Sequence, residues 1–166
     1  MFEQGQKVVY GIHGVCQIIG SEIKAVDHNS VSYYVLEPLD QAGARYYVPK
    51  ENPAALAKMS PLLTRQELDS LLTDVEGAEN VWIADENQRK QRFRELISSG
   101  DRRSMILMVR SLHVHKKEQQ KQGRKFHLSD ENFLRDAEKL LSSEFSAILG
   151  IPAYDVTQYL TERLEA

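Results

Sequence analysis

The spacing of hydrophobic residues changes near residue 60 of this 166-residue chain, and this change constrains the fold most strongly. Before that point, residues 15–19 alternate as in a half-buried strand, and residues 31–36 are rich in β-branched and tyrosine residues. After it, apolar residues recur at helical spacing. A period of two is typical of half-buried strands, and a period near 3.6 of amphipathic helices. The sequence therefore predicts an α+β protein with two domains, residues 1–60 and 61–166.

The first domain is expected to contain four or five short antiparallel strands. Glycines at both ends of residues 11–14 suit a tight turn, because glycine tolerates positive φ. Turn-forming residues at 27–30 and 40–43 separate further strands, and Pro38 and Pro49 end two of them. This many strands in so short a segment predicts a small curled sheet or partial barrel.

The second domain is expected to be an all-α bundle of about five helices. Side chains that cap helix N-termini precede three apolar-periodic segments, at Thr64, Asp85 and Asp101. Ser129 is expected to begin the fourth helix, and residue 152 lies near the first turn of the fifth. Glycine after a helix favours its termination. The glycines in that position are Gly100, Gly123 and Gly150.

Positive charge is concentrated between residues 86 and 125, although the whole chain carries a net charge of −3. This basic segment holds 12 Lys/Arg against 4 Asp/Glu, a difference of +8. Segregation of this kind favours a polyanion such as a nucleic-acid backbone. The alternative is a solvated helical surface whose cations pair with acidic residues elsewhere in the chain.

Several functional classes find no support in the residues. No apolar run approaches the roughly 20 residues of a membrane span, and no signal segment opens the chain. A single cysteine, Cys16, precludes an internal disulfide, which fits a reducing cytoplasm. From these features together we expect a cytoplasmic protein that does not bind membranes. His113 and His115 point to different faces of a predicted helix, which argues against a shared metal. We therefore expect no catalytic residues, metal, cofactor or small-molecule substrate; a deep pocket with convergent polar groups would favour an enzyme instead.

Trp82, the only tryptophan, lies just before the basic segment. A loop tryptophan beside cations can stack on or wedge against a base. Alternatively, it packs as an anchor against Leu96 or Phe93. If the two basic helices form an antiparallel hairpin, the lysines at its end lie near Arg89.

Seven short motifs follow one another in a specific order along the chain. They are residues 5–18 (GQKVVYGIHGVCQI), 33–36 (YYVL), 46–52 (YYVPKEN), 98–101 (SSGD), 109–112 (VRSL), 136–141 (DAEKLL) and 149–152 (LGIP). Their order and spacing resemble the CarD-like family of bacterial transcription regulators over essentially the whole chain.

The resemblance implies that residues 1–60 form a Tudor-like domain similar to the polymerase-interacting module of transcription-repair coupling factor. In the family, this module docks on the β subunit of RNA polymerase by aligning a strand edge with a strand of the partner. The matching strand implies Arg45, Tyr46, Tyr47 and Val48 as contacts. Because side chains alternate along a strand, either Tyr46 or Tyr47 is expected to face the core.

The resemblance also implies that the helical domain approaches promoter DNA at the upstream edge of the melted region. There a tryptophan wedges against the minor groove, a role that only Trp82 can take here, although more residues than usual separate it from Arg89. Basic residues hold phosphates without reading sequence. Together with the charge pattern, this gives the expected DNA contacts Arg89, Lys90, Arg92, Lys116, Lys117, Lys121, Arg124 and Lys125.

The function expected from these features is that of a non-enzymatic transcription regulator. It would dock on the RNA polymerase β subunit and contact promoter DNA, and would thereby modulate open-complex stability. The alternative is a protein–protein adaptor whose basic helices bind an acidic protein without contacting DNA.

Overall fold

The structure is a computed structural model that describes residues 2–165, with Glu165 described by its backbone alone. Met1 and Ala166, the outermost residues of the two predicted domains, lie outside the described residues. The chain divides into two compact units, one ending at Leu62 and the other beginning at Leu63. None of the helices described within residues 2–165 is long and apolar enough to cross a membrane.

The first unit is a five-stranded antiparallel sheet. Its strands are β1 (Lys7–Tyr10), β2 (Val15–Val26), β3 (Asn29–Pro38), β4 (Tyr46–Pro49) and β5 (Met59–Pro61), with a short helix α1 (Pro53–Leu56) between the last two. The strand order is β4-β3-β2-β1-β5, so β4 and β5 form the two edges. Val8, Cys16, Leu36 and Val48 are fully buried and form its core.

The β2–β3 hairpin is longer than the sequence predicts. Its two-residue turn places Asp27 at φ 48 and His28 at φ 67, as a turn that matches the twist of the strands requires. Residues 21–30 are exposed throughout, so this part of the hairpin lacks the apolar alternation that identifies a half-buried strand. The predicted turn at residues 11–14 is confirmed, with Gly11 at φ 50 and Gly14 at φ 76.

The second unit contains five helices. They are α2 (Arg65–Glu76), α3 (Glu86–Ser99), α4 (Arg102–Lys121), α5 (Leu128–Leu149) and α6 (Ala153–Glu165). Three predicted caps are confirmed: Thr64 accepts from the Glu67 N–H, Asp85 from Gln88 and Asp101 from Ser104. The fourth predicted helix begins at Leu128, one residue before Ser129. The α+β class and the five-helix composition are thus confirmed.

Helix α5 organises the helical unit, because it packs against α3, α4 and α6. Phe145 on α5 and Leu112 on α4 are fully buried, as are Leu68 and Leu72 on α2. Each such side chain contributes about 1.5–3 kcal/mol through its removal from water. This core fixes α3 and the end of α4 in place, and these elements carry the basic segment.

Candidate functional site

Strand β4 has one free edge. Within the described part of the sheet, β3 is its only strand neighbour. The Lys50 N–H donates to the Ser32 carbonyl at 2.9 Å, and Val48 lies opposite Tyr34. Alternate residues of an antiparallel strand direct their backbone groups to the same side, so Val48 also bonds toward β3. Tyr47 therefore directs its N–H and carbonyl outward, where a partner strand could pair with them.

Two of the predicted polymerase contacts are on the surface. Tyr47 is 39% exposed, and the Lys24 ammonium lies 3.6 Å from the centroid of its ring. Tyr33 meets the same ring edge-on at a centroid distance of 6.3 Å. The exposed Arg45 side chain forms an ion pair with Glu37. Lys24 was not predicted, because its proximity to Tyr47 depends on strand pairing that the linear sequence does not display.

The other two predicted contacts face the interior. Tyr46 packs against the core, with ring centroids of Tyr10 at 5.5 Å and His13 at 4.4 Å. Val48 is 0% exposed, and its backbone groups point toward β3. A contact between the Val48 side chain and a partner therefore does not fit the structure, because the core encloses that side chain.

At least half of the 12 cations in the basic segment form ion pairs within the helical unit. The pairs are Arg89–Asp130, Lys90–Glu86, Arg92–Glu95, Arg102–Glu144, Arg103–Asp74 and Lys116–Glu131. Lys117 also has an interaction partner within the chain. The local charge of the sequence therefore overstates the charge available to an external polyanion.

Arg89 requires a correction, since it does not lie on the surface. Its side chain is 4% exposed, and it donates to both carboxylate oxygens of Asp130, at 2.9 and 3.0 Å. Asp130 is itself fully buried. A guanidinium enclosed in this way cannot also reach a phosphate. This pairing could not be predicted from the sequence, because Arg89 and Asp130 are 41 positions apart.

Three predicted cations are exposed and, among the described residues, form no ion pair: Lys121, Arg124 and Lys125, here called the terminal cationic cluster. Lys121 is the last residue of α4. The Arg124 N–H donates to the carbonyl of Gln119 at 2.8 Å, which holds the following loop against the helix end. Three positive side chains are thereby collected in one short segment.

Trp82 packs among other planar side chains and remains partly exposed. The His115 ring stacks on it with centroids 3.8 Å apart and an interplanar angle of 16°. The Arg89 guanidinium carbon lies 4.6 Å from the indole centroid, and Phe93 meets the indole edge-on at 6.5 Å. Phe93 is one of the two packing partners that the sequence analysis names for Trp82. The contact with His115 could not be predicted, because His115 lies on α4, far from Trp82 along the chain.

The pKa of His115 is lowered, chiefly because burial disfavours the charged imidazolium. Asp130 opposes this shift by raising the pKa, whereas Arg89 adds to it. The lowered pKa favours the uncharged imidazole, whose ring lies stacked on Trp82.

The helical unit also contains a cavity of about 460 Å³, lined by residues of α4, α5 and α6 and by the loop before α3. Several of the polar side chains that line it form contacts within the chain. His113 contacts Glu138 at 2.5 Å, and Arg110 donates to the carbonyl of Val75 at 2.6 Å. Within the described residues, no group of three or more His, Cys, Asp or Glu side chains could hold a metal.

Comparisons with known protein families cover both units. Residues 2–62 match the family described as CarD-like/TRCF RID domain, and residues 70–161 match the family described as CarD, C-terminal domain. A comparison with curated proteins gave no match. The two matches confirm the resemblance found in the motifs, and they place β4 in the first domain and the basic segment in the second. The chain therefore belongs to the CarD-like family, whose members are non-enzymatic bacterial transcription regulators that interact with RNA polymerase.

Proposed function

We propose that this protein docks on the RNA polymerase β subunit through the outer edge of β4. In this complex the terminal cationic cluster would be held against promoter DNA, and the lifetime of the open complex would change. The single observation that supports this proposal best is the free edge of β4 in a domain of the polymerase-interacting family.

The docking step relies on backbone pairing at that edge. Tyr47 supplies an outward N–H and carbonyl for a partner strand, and its exposed ring adds a side-chain contact. Pro49, two residues later, has no N–H to donate. The pairing would therefore centre on Tyr47, with Arg45 beside it exchanging its partner Glu37 for an acidic group of the β subunit.

The DNA step relies on the terminal cationic cluster, not on the whole basic segment. Lys121, Arg124 and Lys125 are exposed and have no acidic partner among the described residues. Lys90 and Lys116 are half-buried and stay paired with Glu86 and Glu131, so in this proposal the phosphate contacts come from the cluster alone. Contacts of this kind position a protein on DNA without reading its sequence.

The docking step is tested by co-purification with RNA polymerase. Arg45→Glu combined with Tyr47→Ala should abolish co-purification while the helical content stays unchanged. The matched control is Lys58→Glu, a charge reversal beside β5 at the opposite edge of the same sheet. Equal retention of polymerase by the β4 variant and the control would refute docking through β4.

The DNA step is tested by the open-complex lifetime on a fixed promoter. Reversal of the terminal cationic cluster by Lys121→Glu, Arg124→Glu and Lys125→Glu should remove the effect of the protein on this lifetime but leave co-purification intact. The control reverses two exposed cations of α5, Arg135→Glu and Lys139→Glu. An unchanged lifetime with the cluster variant would exclude this DNA contact.

A further inference from the structure

Arg89 holds both the Trp82 ring and the backbone that follows it. One guanidinium nitrogen, Nη1, donates to the Ile83 carbonyl at 3.0 Å and to the Ala84 carbonyl at 3.4 Å. The guanidinium carbon also lies 4.6 Å from the indole centroid. A single side chain of α3 therefore restrains the tryptophan and the two residues after it.

Asp130 fixes the orientation of this guanidinium. The bidentate pair, at 2.9 and 3.0 Å, constrains the plane of the group as well as its position. Lysine could not reproduce this geometry, because an ammonium is a point charge without a planar fork. The pair also joins α3 to the first turn of α5, which anchors the restraint to two helices.

His115 adds a second planar contact from the last part of α4, with its ring 3.8 Å from the indole. The same region continues to the surface, since Phe126 lies 6.2 Å from His115 and the Lys116 ammonium lies 5.7 Å from Phe126. Trp82, which remains partly exposed, thus lies at the end of the helical unit that carries the terminal cationic cluster.

We infer that Arg89 and Asp130 are positioning residues that hold Trp82 as a rigid aromatic contact for promoter DNA. This inference rests on the proposed function. A restrained ring loses less conformational freedom on binding than a mobile one, so its contact contributes more to the complex. Arg89 acts through Trp82 and does not itself touch a phosphate.

The test uses the full-length protein with Arg89→Lys, which keeps the positive charge but removes the bidentate geometry. The matched control is Arg102→Lys, because Arg102 also donates to two carboxylate oxygens, those of Glu144, each at 2.8 Å. Both variants weaken a bidentate arginine–carboxylate pair of the same unit. The first readout is acrylamide quenching of the fluorescence of Trp82, the only tryptophan of the chain. The second is the open-complex lifetime with RNA polymerase.

Arg89→Lys is expected to increase quenching and to reduce the effect on the lifetime about tenfold, the factor that corresponds to a hot-spot loss of ~1.4 kcal/mol. Arg102→Lys should change neither readout. Adding Trp82→Ala to Arg89→Lys should cause no further loss, because both changes remove the same contact. If Arg89→Lys fails to fold, His115→Ala removes the stacked ring without touching the buried pair and should give the same two changes.

Equal loss of the effect on the lifetime with Arg89→Lys and Arg102→Lys would overturn the inference, since it would indicate a general loss of stability. Increased quenching without a change in lifetime would overturn it as well. If reversal of the terminal cationic cluster removes the effect on the lifetime while Trp82→Ala does not, the proposed function stands and the positioning role fails. If neither change affects the lifetime, both fail.

Discussion

The salt dependence of the protein's effect on the open-complex lifetime should indicate how many of its cations contact DNA phosphates. The measured quantity is the ratio of open-complex lifetimes with and without the protein, which removes the salt dependence of the polymerase itself. Each neutralised phosphate of duplex DNA contributes about −0.9 to the slope of log affinity against log salt concentration. The three members of the terminal cationic cluster therefore predict a slope of about −2.7.

The full charge of the basic segment predicts a very different result. If all of its excess charge of +8 met phosphates, the slope would be about −7. Our expectation is lower because at least half of the cations in that segment already have carboxylate partners within the unit. The assay is a competitor-challenge measurement of lifetime between about 50 and 200 mM salt, the range in which counterion release is commonly measured.

Neutralising the cluster with Lys121→Ala, Arg124→Ala and Lys125→Ala should bring the slope close to zero. Arg92→Ala should leave it nearly unchanged, because Arg92 already pairs with Glu95 at 3.5 Å. A slope near −7, or a slope that the triple substitution does not alter, would refute the assignment of the DNA contact to this cluster. A slope near zero in the unmodified protein would favour the adaptor function, in which the basic helices bind an acidic protein.

Three further predictions concern stability. Glu144→Ala should lower the free energy of unfolding of the helical unit by about 3 kcal/mol in urea titration. The reason is that the substitution removes the buried carboxylate that accepts hydrogen bonds from Arg102 and from the N–H of Leu63. A loss below ~1 kcal/mol would contradict this role. Asp101→Ala should cost about 1 kcal/mol in the same assay, the usual value of an N-cap, and Asp101→Asn should restore most of it. Burial raises the pKa of the Cys16 thiol to about 11, so the folded state keeps a proton that the unfolded state loses from about pH 9. The free energy of unfolding should therefore fall between about pH 9 and 11, and Cys16→Ala should reduce this fall; an identical pH profile for both proteins would exclude the effect.

The features predicted correctly from the sequence are those determined by neighbouring residues. The Asp85 carboxylate reaches the N–H of Gln88, three positions away, at 2.9 Å, and Gly100 ends the same helix with φ 71. Such local geometry is encoded in a few consecutive residues. Helix α1 was missed although Asn52 and Pro53 supply the usual cap and first-turn proline, because its four residues are too few to show a helical period.

The features that could not be predicted depend on residues distant in the chain. The charge pattern places Arg89 among the surface cations. In the structure Arg89 is buried because it pairs with Asp130, and the two residues come together only when α5 packs against α3. Alternation correctly placed one tyrosine of β4 inside, but strand pairing was needed to identify it as Tyr46. The distribution of charge along the sequence therefore located the basic segment, but it did not show which of its side chains are exposed to a DNA partner.

An acidic protein with few available cations can still act on DNA if it is tethered. Three exposed cations would bind duplex DNA weakly at physiological salt, because the counterion-release gain scales with the number of phosphates neutralised. Docking through β4 would change this, since a tethered site experiences an effective concentration in the millimolar range. The net charge of −3 would then limit unproductive binding to DNA away from the polymerase.

If tethering is required, loss of docking must also abolish the effect on DNA. Arg45→Glu with Tyr47→Ala should therefore remove the influence on the open complex as completely as reversal of the terminal cationic cluster does. A β4 variant that no longer co-purifies with polymerase but still alters the open-complex lifetime would show that the two units act independently.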